Sequence, residues 1–354
     1  VRHMKTLNLY GAQDIRYEEK PNPVVRKEDE VVIKVKAVGV CGSDVSRYKK
    51  LGPYVEGMTF GHEFSGEVVE TGPYVEGIKP GDRVAGCPTF YCGECHSCLK
   101  GDLAQCERLT LIGARHPGAY AEFVTLPASH VLSLPDHVDY DAAAMVEPSS
   151  VVAHGFYRTS VQPGAKVAIM GCGSIGLLAV QWAKIFGAEQ VIAIDIDDQK
   201  LEIAAKVGAD VLINPKDVLP HERVLEVTDQ LGVDLAVECA GSPVTSEQVL
   251  ALPKKGGEVL YMGIPYANVD MERFYFERIV RNELKVIGSW NAISAPFPGK
   301  EWSSTLHYMS TGQLNIQPLI SHRLSLEEGP STFESLINQN GSFIKVMFYP
   351  HSDQ

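Results

Sequence analysis

The sequence predicts an α/β protein: a doubly wound parallel sheet joined to a barrel-like β domain. Three observations carry this prediction. Residues 153–289 alternate short apolar strands with helical stretches, the pattern of a parallel sheet with crossover helices. Residues 5 to about 150 are instead β-rich and punctuated throughout by Gly and Pro. The tail after Trp290 is too short for a core of its own, so it is expected to return to the β domain and complete it. The expected division is therefore 4–152 with 290–354, and 153–289 between them, and 354 residues suffice for two such cores. The residues Val1-Arg2-His3 before Met4 read as a cloning remnant.

In the β domain the expected strands are Thr6–Leu9, Val31–Val38, Phe64–Val69, Arg83–Ala85 and Glu122–Leu126. The pentapeptide Pro-Tyr-Val-Glu-Gly occurs at 53–57 and 73–77, but two short copies in different contexts make no repeat architecture. In the second region apolar strands are expected at 167–170, 191–194, 211–213, 234–238, 258–263 and 284–288. The tail reads as the loop 294–299, a helix near 301–311, a mixed stretch and the strand Phe343–Tyr349.

The stretch Lys166–Asp195 reads strand, glycine turn, helix, strand, acid. Gly171 permits a tight turn, Gly173 lets backbone approach a pyrophosphate, and Gly176 allows close helix–strand packing. Ser174 and Ile175 open the helix, whose free N–H groups and positive dipole end suit phosphates. Asp195 would accept from the adenosine ribose hydroxyls and repel a 2′-phosphate, so NAD is expected over NADP. A glycine motif alone also occurs in flexible loops; here its strand–turn–helix–strand context is complete.

Composition is that of an ordinary globular protein, with 45% apolar and 21% charged residues. A net charge of −12 argues against a nucleic-acid or anionic-membrane surface. No apolar run is long enough to span a bilayer and no signal-peptide pattern is seen, so a cytoplasmic setting is expected. Of the eight cysteines four are clustered, unlike a disulfide framework.

That cluster is Cys92, Cys95 and Cys98, followed by Cys106. Four thiols at this spacing can close a tetrahedral zinc site from one loop, leaving no open position, so its role is structural. The plainer alternative is four free thiols on an exposed lobe. A second constellation is dispersed: Cys41, His62, Glu63 and Glu147. A catalytic zinc commonly keeps three protein ligands and an open fourth position, which Cys, His and a carboxylate could supply. Singly, these could equally be a buried thiol, a hydrogen-bonded histidine and helix-end acids.

Gly61-His62-Glu63, Gly66, Gly72 and Val75, with the four-cysteine loop and the later glycine motif, resemble the medium-chain zinc dehydrogenases over essentially the whole chain. That resemblance implies a GroES-like β-barrel catalytic domain, a Rossmann domain and an active site in the cleft between them. Cys41-Gly42-Ser43-Asp44 and Val146-Glu147-Pro148 look like the polyol dehydrogenase branch, in which a glutamate is the third catalytic-zinc residue. Cys41, His62 and Glu147 are thus the implied ligands, with Glu63 as supporting or alternate ligand. Zinc would act as a Lewis acid on a secondary alcohol, and NAD would accept hydride. Ser43 resembles the family's proton relay, though a serine here could simply cap the next helix. Many members carry His a few residues later, where this chain has Ser46-Arg47, so the proton exit is expected to run through water or the cofactor ribose.

The stretch 284–291, Pro296, Pro298, Glu301-Trp302, Asp44 with Arg47, Arg115 and 317–323 are similar to polyol-phosphate members of the branch. Galactitol 1-phosphate is accordingly the leading expected substrate. Arg47 and Arg115 are the candidate phosphate readers, with Lys300 a further cation and Trp290 and Asn291 tentative substrate neighbours; solvated charges and plain packing are the alternatives. Sorbitol, iditol or xylitol oxidation is the nearest rival, L-threonine or butanediol a more distant one, and a non-catalytic NAD- and zinc-binding redox sensor the rival of another class. The resemblance also suggests a homodimer or homotetramer, joining sheets near Val259–Met262.

Overall fold

A computed structural model of the chain describes residues 1–351; the last three residues of the expected 290–354 segment lie outside it. It forms two compact units: residues 1–148 with 293–311 and 320–351, and Ser149–Ala292 with Gly312–Leu319. Residues 312–319 therefore group with the second unit, apart from the rest of the C-terminal segment.

The first unit is organised around the strand Glu30–Gly39, a Val-rich run buried along nearly its whole length. It pairs antiparallel with Glu63–Thr71, with Phe123–Pro127 and with the C-terminal strand Lys345–Phe348. The strand Lys345–Phe348 thus belongs to this unit's sheet. Leu7, Leu9, Ile33, Val35, Phe64, Tyr120, Phe333 and Phe348 fill the core. Three elements of this unit were not legible. Asp14–Pro21 carries five acids or bases in a row of eight and little apolar pattern, yet pairs along nearly the whole of His3–Gly11 across a turn where Gln13 takes φ 60°. The mixed tail stretch holds the strand Ile320–Leu324 and the helix Gly329–Ile337.

The second unit has a six-stranded, all-parallel sheet. Its order is Val211–Ile213, Gln190–Ile194, Lys166–Met170, Val233–Glu238, Pro253–Tyr261 and Lys285–Gly288. The central strands are continuous buried runs, as a sheet covered on both faces requires. The strand order reverses between Lys166–Met170 and Val233–Glu238, which makes the loop after Met170 the topological switch point. The helix Ser174–Ile185 buries eight residues on the sheet, and Gly187, at φ 97°, ends that stretch. The strand around Val259 is internal, so it offers no free edge for pairing; the edge strands are Val211–Ile213 and Lys285–Gly288. Among the described residues no helix is long and apolar enough to cross a membrane.

Candidate active site

Antiparallel register assembles the first constellation. Gly39 pairs with Glu63, which sets Cys41, two residues past one strand end, beside His62 at the start of the other. The donor atoms of Cys41, His62 and Glu63 lie within 4.8 Å of one another. Glu147, in the first turn of the helix Val146–Tyr157, is outside that set, although its carboxylate is felt electrostatically by His62, Glu63 and Cys41.

Cys41 is the N-cap of the short helix Gly42–Ser46, so Ser43 is not the capping residue; the Ser43 hydroxyl favours the Cys41 thiolate. Asp44, 4% exposed, accepts from the Tyr120 hydroxyl at 2.6 Å and from the Cys41 N–H at 3.2 Å. Its other oxygen lies 3.7 Å from His62 Nδ1, which leaves Nε2 as the nitrogen available to a metal.

Sequence reasoning missed Lys345. Its ammonium donates to Glu63 Oε2 at 2.6 Å and to the Val40 carbonyl at 2.8 Å, and the side chains of both partners in the ion pair are almost wholly buried. The approach is tight: a Cβ on Gly39 would sit 2.7 Å from the same Glu63 oxygen. Burial alone would lower the Lys345 pKa, but Glu63 and Cys41 outweigh it and the amine is held charged. The available signal was a lone lysine in an otherwise apolar strand, and it named no partner.

The donor set fits a divalent cation. Burial, then Glu63 and Asp44, push the Cys41 thiol up to about 12. Burial also raises Glu147, against the pull of His62. Thiol and acids crowded together with one lysine for balance are short of positive charge, and a metal ion supplies it.

The second thiol set is also assembled. Cys92, Cys95, Cys98 and Cys106 have sulfurs within 4.8 Å of one another. The Cys92–Cys98 separation is 3.9 Å, close to the ~3.8 Å edge of a tetrahedron with Zn–S of 2.3 Å. Backbone N–H groups of Cys92 and Arg108 point at Cys106, and that of Cys95 at Cys92, at 3.2–3.3 Å. Such donors favour thiolate; the backbone N–H groups of Cys98 and Glu107 bring Cys95 down to about 6, while burial drives Cys98 up to about 12. None of the chain's cysteines is in a disulfide.

In the second unit the glycine turn has the form of a dinucleotide cradle. A Cβ on Gly176 would collide with the Gly171 carbonyl, and one on Gly171 would lie 2.7 Å from the Ala240 nitrogen. A Cβ on Gly173 would meet nothing within 4 Å. The first two glycines are therefore required by the fold, whereas the third leaves room only a ligand would need. Gly173 is the N-cap of Ser174–Ile185, with no side chain capping the helix and no acid in its first turn, so its N–H groups stay available to phosphates. Asp195 accepts from the Cys172 N–H at 2.7 Å and the Asp197 N–H at 2.8 Å, which fix its carboxylate at the strand end.

Arg47 and Arg115 converge on one exposed ring. The Arg47 guanidinium carbon lies 3.8 Å from the Tyr54 ring centroid and that of Arg115 5.9 Å from it. Trp290 is half-exposed, and Asn291, at φ 62°, accepts from the Ala292 N–H. Both belong to the second unit.

Known proteins share this architecture. Residues 27–136 match the alcohol dehydrogenase GroES-like domain and residues 174–304 the zinc-binding dehydrogenase domain. The chain is 35% identical to galactitol 1-phosphate 5-dehydrogenase of Escherichia coli K12, over 95% of this chain and 97% of that one. It is 34% identical to sorbitol dehydrogenase of Bacillus subtilis 168, over 99% and 98%. The crystal structure of galactitol-1-phosphate dehydrogenase from E. coli superposes with a TM-score of 0.92 at 33% identity, covering 98% of this chain and all of that one.

Proposed function

Because the chain belongs to the zinc-type medium-chain alcohol dehydrogenase family, we propose that it oxidises a secondary hydroxyl of a polyol to a ketone with NAD, and that its substrate is galactitol 1-phosphate. The observation that carries the chemistry is the buried set of Cys41, His62 and Glu63, with Glu147 close by and too little positive charge to balance it. When bound, zinc would polarise the reacting hydroxyl and NAD would take up hydride.

The protein's own groups do the rest. Cys41, His62 and a carboxylate would hold the metal, and Asp44, beside His62 Nδ1, would leave Nε2 to it. Lys345 already neutralises Glu63, which leaves Glu147 as the acid free to join the set. Ser43 Oγ, exposed and two residues past Cys41, would accept the alcohol proton and release it to water. Gly173 and the N–H groups of Ser174 and Ile175 would receive the pyrophosphate, and Asp195 the adenosine ribose. Cys92, Cys95, Cys98 and Cys106 would carry the structural zinc.

The substrate reading is supported by the E. coli relative and by the Arg47–Tyr54–Arg115 group; oxidation of free sorbitol is the second reading, supported by the B. subtilis relative. Free cysteines throughout are consistent with the cytoplasm as its compartment. For assembly, the open edge Lys285–Gly288 with exposed Val286, beside the helix Arg273–Arg281 with exposed Phe276 and Val280, is the surface through which two copies would pair.

The test is NADH formation on metal-analysed protein with galactitol 1-phosphate, galactitol and sorbitol. Turnover preferring the phosphate ester supports the proposal. Comparable efficiency on free sorbitol replaces the substrate, and no turnover with both zinc sites filled rejects the polyol reading.

A further inference from the structure

We infer that Arg47, Tyr54 and Arg115 form a subsite for a terminal phosphate monoester, with the Tyr54 ring as the platform that holds the two guanidinium groups together. This rests on the polyol reading above and adds to it a positioning residue, Tyr54, that recognises no ligand in the sequence alone.

Each arginine is carried by backbone that runs into a metal-ligand candidate. Arg47 follows directly on the helix Gly42–Ser46 that Cys41 caps, and its own stretch Arg47–Leu51 continues the helical path. Arg115 sits in a turn tied to the segment before His62. Gly118 N–H donates to the Thr59 carbonyl and Ala119 N–H to the Gly61 carbonyl, both at 2.8 Å, and a Cβ on Gly113 would come 3.3 Å from the Gly61 nitrogen. Tyr54 lies in the loop between Gly52 and Gly57, both at positive φ. That loop is anchored where Arg47 Nη1 donates to the Gly52 carbonyl at 3.3 Å and Gly57 N–H to the Leu9 carbonyl at 2.9 Å.

Two like charges on one ring repel each other, and among the described residues neither forms an ion pair with an acid, unlike Arg16 and Arg108, which each have a carboxylate. The ring face offsets part of that repulsion. A dianion offsets the rest and can accept paired hydrogen bonds from each guanidinium.

The experiment uses the zinc-loaded enzyme and its Arg115→Ala, Tyr54→Leu and Tyr54→Phe variants. Michaelis constants are measured for galactitol 1-phosphate and galactitol, and inorganic phosphate binding is measured by calorimetry. Arg115→Ala and Tyr54→Leu are expected to raise KM for the phosphate ester about tenfold more than for galactitol, ~1.4 kcal/mol, with kcat nearly unchanged. Tyr54→Phe, which keeps the ring, is expected to behave as wild type, and Arg115→Ala to weaken phosphate binding. Equal KM changes on both substrates, or Tyr54→Phe as impaired as Tyr54→Leu, would overturn the subsite while the polyol reading stands. If neither alcohol is oxidised the polyol reading fails, and calorimetry still decides: phosphate binding lost in Arg115→Ala keeps the subsite, and identical binding removes it.

Discussion

At the scale of single residues, the buried Lys345–Glu63 pair links stability to metal chemistry. Both side chains are desolvated, so removing one partner leaves the other charge without compensation. Lys345→Met should cost about 3–5 kcal/mol in chemical denaturation, and the double variant Lys345→Met/Glu63→Gln should recover most of it. The same pair bears on which acid binds zinc. With Glu63 held by Lys345, Glu147→Gln should lower the zinc content per chain further than Glu63→Gln, read by elemental analysis on otherwise identical preparations. The reverse order would make Glu63 the ligand. Cys41, His62, Glu63 and Glu147 could be named from their local motifs. Lys345 could not, because it lies 282 residues from Glu63 and only the sheet register between Met347 and Gly39 brings them together.

At the scale of elements, the glycine turn and the cysteine loop were legible because their demands are local. The turn still separates two kinds of glycine. Gly176→Ala places a methyl against the Gly171 carbonyl and should destabilise the protein by about 1–3 kcal/mol. Gly173→Ala meets open space at an ordinary φ of −70°, so thermal stability should hold while KM for NAD rises on the order of tenfold. A stability loss in Gly173→Ala would show that its role is structural. In the cysteine loop, Cys98→Ser should remove one zinc per chain and lower Tm, since the loop is closed by metal where apolar contact is scarce. The strand Asp14–Pro21 marks the limit of local reading: its alternating charges look like surface, and pairing with His3–Gly11 makes it a strand.

At the scale of the whole molecule, the pairing proposed for the exposed edge Lys285–Gly288 has a direct test: Val286→Lys should shift the protein toward monomer in sedimentation experiments while leaving each unit folded. An unchanged sedimentation coefficient would place the interface elsewhere. By itself the sequence determined the α/β class, the succession of β-rich and alternating regions, the dinucleotide turn and the four-thiol loop. Each of these is written in spacing over fewer than about 30 residues, where chain geometry leaves few alternatives. Only the tertiary structure decided that Glu63 stands with Cys41 and His62, that Lys345 neutralises it, that Arg47 and Arg115 share Tyr54, and that the strand at Val259 is internal. Those facts depend on strand register and on pairing between distant segments, and a one-residue slip in register would turn every side chain of a strand to the opposite face without altering the local pattern.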